Sequence, residues 1–337
     1  MYSKASTFSR VYVEETVRDL PRTRRILGRL PRATVVPVDD YQNVFGRGRQ
    51  DFWRQKAAPA LVLARKKEHF LYAGNAFQQS GMSSNFAYTA PVLNCPYDCH
   101  YCYLQGLYAG AQVVAFVNLE EAFAAAAAAL QARPDPAQPL DLALSYDTDL
   151  LALEGLLGFT AEWVEWSRGR PDLLLEVRTK SAPLRFIGTV APSEAVRLVW
   201  TLSPEAVCRD YESGAPSLEH RLKALTRAAS LGWRIGICLD PVLRVPDWRA
   251  HYGGLADRLR EALPRGAVER VEIGVFRVST GHFKRMRRRP GRDLLHYPYE
   301  HANNAVSYLK SEREELVETI RSLLRGTISN DLIHIWT

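Results

Sequence analysis

Apolar and polar positions alternate along this chain between two textures. Short continuous apolar runs recur near residues 87–93, 141–146, 173–178, 197–202, 234–240 and 270–276. Between them lie stretches with helical spacing at 119–131, 154–168, 217–230 and 248–262, and a shorter one around 183–189. A run without polar alternation marks a strand buried on both faces. Such strands, separated by helices, imply βαβ units and a parallel sheet. Six units predict a partial (β/α)6 barrel, since too little chain remains for a closed eight-fold one.

Residues 1–85 carry apolar runs at 11–13, 35–38 and 61–64 between basic helical stretches, which predicts a small N-terminal α/β unit. Residues 281–337 carry a basic segment, an amphipathic helix over 312–325 and a closing strand over 332–336. The expected division is therefore 1–85, 86–280 and 281–337. The Ala-rich stretch 122–130 reads as a scaffold helix, with Asn118 as its N-cap and Glu121 as the reciprocal partner.

Composition narrows the class. Of 337 residues, 47% are hydrophobic and 24% charged, as in ordinary globular proteins. No apolar run approaches the roughly 18 residues that span a bilayer, and the first residues lack the apolar centre of a signal peptide. These features predict a cytoplasmic protein without membrane contact. The formal net charge of +7 suits a polyanionic partner, although an Arg-rich composition produces it without one. Five cysteines, an odd number, argue for metal binding or thiols over a disulfide framework.

Three of those cysteines stand together in AsnCysProTyrAspCysHisTyrCysTyr (94–103), directly after the first barrel strand. Cys95, Cys99 and Cys102 form C-x3-C-x2-C, and thiolates are the soft ligands that iron–sulfur clusters and zinc prefer. A closed zinc site wants a fourth ligand at matched spacing. His100 lies between two of the cysteines, where it does not easily reach the same metal, and Cys208 and Cys238 are remote in sequence. Three thiolates on a [4Fe–4S] cluster leave one iron open for S-adenosylmethionine (SAM), whose cleavage supplies a radical. Zinc, or cysteines that are simply buried, is the competing reading.

Chemistry in parallel barrels gathers at the C-terminal strand ends. There the chain places Ser145 to Asp149 after the second strand, Lys180 after the third, Thr201 after the fourth and Asp240 after the fifth. Together they make a ring suited to SAM's carboxylate, ribose and ammonium; singly each reads as a loop cap. Tyr101 is placed to lie against adenine, or merely to pack. The run PheLysArgMetArgArgArgProGlyArg (283–292) is the densest basic segment, with His296, Tyr297, Tyr299 and His301 beside it. Basic groups among stackable rings suit bases and phosphates, while a solvated loop is the plain alternative.

With these residues laid out, the chain resembles the spore photoproduct lyase family, radical SAM enzymes that reverse a thymine dimer in DNA. The likeness rests on CysHisTyrCysTyrLeuGln (99–105), AsnLeuGluGlu (118–121), ThrAspLeuLeuAlaLeuGlu (148–154), ThrLysSer (179–181), GlyAlaProSerLeuGluHisArgLeu (214–222) and IleHisIleTrpThr (333–337). It implies a partial (β/α)6 radical SAM barrel, with a [4Fe–4S] cluster on Cys95, Cys99 and Cys102. By position it implies SAM contacts from Tyr101, Thr148, Lys180 and Thr201, and a radical relay through Tyr101 and Tyr103. Lys284, Arg285, Arg287, Arg288, Tyr299 and His301 are the expected nucleic-acid contacts.

One departure matters. Where the family carries a hydrogen-donating cysteine after the second strand, this chain has Tyr146, or Ser145 with a shift of one. A phenol is a competent hydrogen-atom donor and a serine hydroxyl a poor one, so Tyr146 is the expected donor. The hairpin used to enter the lesion also differs, reading HisTyrProTyrGluHisAlaAsnAsn (296–304). The resemblance thus implies a monomeric lyase acting on DNA that carries a pyrimidine photoproduct, served by an electron donor such as flavodoxin or ferredoxin. A relative acting on another nucleic-acid lesion, RNA, a peptide or a metabolite is the alternative.

Overall fold

A computed structural model describes residues 8–74, 83–264 and 266–336. Parts of the expected end units 1–85 and 281–337 fall on residues 1–7, 75–82 and 337 and lie outside the described residues. The chain forms two compact units, one of residues 1–97 and 108–177, the other of residues 98–107 and 178–337.

In the first unit a five-stranded sheet runs in the order Thr34–Val38, Arg10–Glu14, Ala60–Ala64, Val113–Phe116, Val92–Leu93. The first four strands are parallel and the last closes the edge antiparallel. Val113–Phe116 is buried throughout, as a central strand must be. Its Val114 and Phe116 pack with Phe45, Val62 and Ala64 into a core. Residue 85, the expected boundary, stands just ahead of the strand Phe86–Thr89, and the sheet draws Val92–Leu93 and Val113–Phe116 from beyond it.

The same unit carries parallel pairs of Phe86–Thr89 with Leu140–Leu144 and of Leu140–Leu144 with Leu173–Val177, while Tyr72–Ala73 joins Phe86–Thr89 antiparallel. The single strand expected over 87–93 is two strands in two sheets. Thr89 pairs with Leu144, whereas Val92 pairs with Ala115. Pro91 between them has no N–H to give a ladder, and the chain changes sheets there.

The helix expected over 154–168 is likewise split, into Glu154–Leu157 and Phe159–Ser167, at Gly158 with φ of +73°. Glu154 caps the second piece, accepting from the Thr160 and Ala161 amides at 2.8 and 3.0 Å. Asn118 does not cap Leu119–Gln131 as expected. Its side-chain amide instead pairs with both backbone groups of Lys66, at 2.8 and 2.9 Å, and Glu121 turns to Arg65. A distant backbone outcompetes the local cap because it satisfies both ends of the amide at once.

In the second unit the strands Val196–Thr201, Arg234–Val242, Val268–Val275 and Ile333–Trp336 lie parallel in that order. Each falls within two residues of its expected place. Leu218–Ser230 shows why the helices between them form. Leu218, Leu222, Leu225 and Ala228 recur at helical spacing and are buried, and the Ser217 side chain accepts from the His220 amide. The strand Leu173–Thr179 carries the chain from the first unit into the second. No helix of the described residues is long and apolar enough to cross a membrane.

Candidate iron–sulfur site

The loop 98–107, which carries two of the three motif cysteines, folds within the second unit. Asp98–Cys99 pairs antiparallel with Glu212–Ser213, setting Cys99 opposite Glu212, and the His100 amide donates to the Tyr211 carbonyl at 2.8 Å. The Cys102 amide then turns back onto the Cys99 carbonyl, and the Gln105 amide onto the Cys102 carbonyl, both at 3.1 Å. A C-x2-C pair is thereby held on a tight turn anchored by a two-residue ladder.

Glu212 organises what lies around that turn. Its carboxylate is 1% exposed, and it accepts from Arg221, from the Tyr101 hydroxyl and, at 2.9 Å, from Ser203 Oγ. Burial alone would push its pKa up; the Arg221 guanidinium and the Lys180 ammonium outweigh it and hold the carboxyl near 2. Burial likewise pulls Lys180 down, but Glu212 and then Cys99 overcome that and raise it, with Cys102 adding to the effect. Lys180 Nζ lies 5.5 Å from the centre of the Tyr101 ring. The result is a charged lysine held beside two thiol-bearing residues, over a tyrosine whose proton is committed to Glu212. Thr201 is buried, and its carbonyl accepts from Arg221 at 3.2 Å. Tyr103 stacks on His282 with ring centres 6.3 Å apart.

Glu212 and Arg221 were not among the residues expected to matter. Arg221 lies inside the 214–222 segment that carried the family likeness, and a charged residue at an apolar helix position was the available signal. Asp240 does not end its strand, which runs on to Val242. Its carboxylate lies over Gly274, where a β-carbon would come within 2.6 Å of Cγ.

The basic run proves two-faced. Lys284, Arg287 and Arg288 are exposed, as is His301, which sits on the short hairpin Glu300–Ala302 and Ala305–Ser307. Arg285, also expected to meet nucleic acid, is exposed too and donates to the Gly106 carbonyl. Tyr299 is a core residue. It is 8% exposed, packed among Phe276, Phe283, Tyr297 and Tyr308, with its hydroxyl donating to the Leu294 carbonyl at 3.1 Å. That ring has no face left for a base to stack on, because it closes the apolar cluster under the hairpin.

Cys95 belongs to the first unit. Its amide donates to Asn94 Oδ1 at 3.0 Å, and Lys56 Nζ donates to the carbonyls of Cys95 and Tyr97 at 2.6 and 2.7 Å. After the strand Leu140–Leu144, Ser145 takes a left-handed conformation, φ +70°, which turns the chain sharply. Tyr146 follows, half-buried, edge-on to Tyr88 at 5.2 Å and Phe86 at 6.2 Å. The buried hydroxyls of Ser145 and Thr148 find no protein partner, whereas Asp149 caps the next turn at the Ala152 amide. A buried hydroxyl left unsatisfied costs on the order of 1–3 kcal/mol, a cost that a hydrogen-bonding ligand removes.

A family profile described as spore photoproduct lyase matches residues 10–290. The chain belongs to the spore photoproduct lyase family. Among curated relatives, the spore photoproduct lyase of a Geobacillus species is 23% identical over 188 residues, covering 56% of this chain and 54% of its own. That of Bacillus subtilis is 23% identical over 226 residues, 66% of this chain and 63% of its own. The chain thus spans somewhat over half the length of these curated relatives. A solved structure of a doubly mutated spore photoproduct lyase with bound AdoMet and dinucleoside spore photoproduct superposes with a TM-score of 0.80, 18% identity and 99% coverage of both chains. This likeness shows the fold, a mixed α/β arrangement whose sheet curls into a half-barrel, as the spacing of strands and helices predicted.

The residues of this family member fit a cluster and SAM. Lys180 supplies positive charge beside Cys99 and Cys102, which favours their thiolate forms, and the Thr148 hydroxyl stands unsatisfied where a SAM contact is expected. Among the described residues no three His, Cys, Asp or Glu side chains converge as they would on a single metal ion. A four-iron cube, being larger than an ion, spaces its thiolates farther apart.

Proposed function

We propose that this protein is a radical SAM lyase that reverses a thymine-dimer photoproduct in DNA. Membership of the spore photoproduct lyase family over residues 10–290 carries the reading. The Cys99–Cys102 turn, seated against Glu212 and Lys180, supports it. Cys95, Cys99 and Cys102 would hold a [4Fe–4S] cluster, and Thr148, Lys180 and Thr201 would contact SAM. Reduced cluster and SAM together supply a 5′-deoxyadenosyl radical when bound.

The chain's own residues divide the remaining work. Lys180, kept protonated by Glu212, balances thiolate charge at Cys99 and Cys102. Tyr101 acts as a positioning residue, because its proton is held by a carboxylate near 2, too weak a base to take it. Tyr103, stacked on His282, is the better placed of the two for hydrogen relay. Tyr146 returns a hydrogen atom to the repaired thymine in place of a thiol, its ring held by Tyr88 and Phe86. Lys284, Arg287, Arg288 and His301 offer exposed contacts for the phosphates of a DNA strand. A lesion is easier to extrude than a sound base pair, which adds selectivity. An acidic one-electron carrier such as flavodoxin or ferredoxin would serve as reductant to a monomeric, cytoplasmic enzyme.

The test is to incubate reconstituted protein with SAM, reductant and a synthetic dinucleotide photoproduct. Formation of the thymine dinucleotide supports the lyase. Vigorous SAM cleavage without it assigns the chain to another substrate, the reading that the tyrosine at position 146 favours.

A further inference from the structure

Three arginines of the basic run grip the cysteine loop within the second unit. Arg285 lies in the helix Thr280–Met286, and Arg289 and Arg292 in the segment that follows it; all three reach the same loop. Arg285 donates to the Gly106 carbonyl. Arg289 donates twice to the Gln105 carbonyl, at 2.8 and 2.5 Å. Arg292, only 3% exposed, reaches Asp98 Oδ2 at 2.8 Å and Gln105 Oε1 at 3.1 Å. Gln105 closes the circuit through its amide nitrogen, donating to Asp98 Oδ1 at 3.1 Å and to the Cys99 carbonyl at 2.5 Å. Gly106 permits this closeness, since a β-carbon there would run into the backbone of His282.

Three guanidiniums meet one carboxylate, Asp98, on a loop that bears two cysteines. Arg285 and Arg289 donate to the neutral carbonyls of Gly106 and Gln105, so they bring positive charge to this loop. A cluster held by three thiolates gains a negative charge on reduction, and net charge nearby is one of the levers on its potential.

We propose that Arg285, Arg289 and Arg292 form a cationic clamp on residues 98–107, which holds Cys99 and Cys102 in register and biases a bound cluster toward its reduced form. The redox half rests on the cluster assignment above; the holding half does not. These arginines are positioning residues; Arg292 is buried and Arg289 half-buried, whereas Lys284, Arg287 and Arg288 are exposed.

Two measurements on the full chain decide it. Amide hydrogen exchange, made before loading, reads the holding half: Arg292→Gln and Arg289→Gln speed exchange at Cys99 to Gly106 at least tenfold, while Arg288→Gln leaves it unchanged. Redox titration of the loaded chain by electron paramagnetic resonance reads the other half. Arg292→Gln lowers the reduced-to-oxidised ratio at a fixed poise about tenfold, a shift of 59 mV for one electron. Arg292→Lys restores the potential but not the exchange protection, because a lysine keeps the charge and loses the fork. Should Arg292→Gln fail to fold, Arg289→Gln, which removes bonds to a single carbonyl, gives both readouts. Unchanged exchange overturns the holding half, and an unchanged potential overturns the redox half. A wild-type chain that builds no cluster overturns the functional reading and the redox half together, leaving the exchange result to stand on its own.

Discussion

Replacing Glu212 by Gln removes the one buried carboxylate that answers Arg221, Lys180 and Tyr101 together. Arg221 is 0% exposed and Glu212 1%, so neither charge has water to fall back on. Breaking a buried pair by deleting one partner typically costs about 3–5 kcal/mol. With a urea slope of about 3 kcal/mol per molar for a chain of this size, the midpoint should fall by about 1–1.7 M. Arg221→Met should cost less, because Lys180 continues to compensate Glu212, whereas Glu212→Gln removes the carboxylate that acts on both cations.

Acid unfolding provides an independent check on the same residue. Glu212 has its folded value depressed from 4.5 to about 2, so its contribution is present above pH 4.5 and is lost as pH falls toward 2. That interval corresponds to about 3 kcal/mol in the wild type, absent in Glu212→Gln. Urea titrations of the two variants at pH 7, and of Glu212→Gln and wild type between pH 5 and 2, measure all of this. A midpoint change below about 0.3 M for Glu212→Gln, or a larger loss for Arg221→Met, would refute the reasoning.

Three further outcomes follow from separate parts of the structure. Glu154→Ala should destabilise the chain by about 2 kcal/mol, since it orphans two amides at the start of Phe159–Ser167; Glu154→Gln, which keeps one acceptor, should lose about half as much in the same urea titration. Burial pushes the Cys208 and Cys238 thiols up to about 12, so both should resist iodoacetamide at pH 8 in the native chain and react in urea, as peptide mass spectrometry reads directly. Tyr146→Phe should leave SAM cleavage intact while thymine-dinucleotide formation drops by about tenfold or more, and undiminished repair would remove Tyr146 from the hydrogen-donor role.

How much of this was legible in the sequence depends on the reach of each interaction. Buried parallel strands show themselves as apolar runs, so Leu140–Leu144, Val196–Thr201 and Val268–Val275 stand close to where those runs lie. The Cys95, Cys99 and Cys102 spacing is equally local. What escaped depends on partners distant in sequence. Asn118 looks like a cap until the Lys66 backbone takes its amide. The run 283–292 reads as one basic patch until Gln105 and Asp98 divide it into bonded and exposed sides. Tyr299 looks like a stacking ring until Phe283 and Tyr308 enclose it. Glu212 gave no sign at all, because its importance comes from Arg221, Lys180 and Tyr101, each on a different segment.

The account is tested most directly by anaerobic reconstitution of the full chain with iron and sulfide, followed by SAM and a strong reductant. It predicts a brown protein holding about four irons, which releases 5′-deoxyadenosine and loses both properties when Cys99 or Cys102 becomes Ala. A colourless chain, or a loaded one that leaves SAM whole, would contradict it.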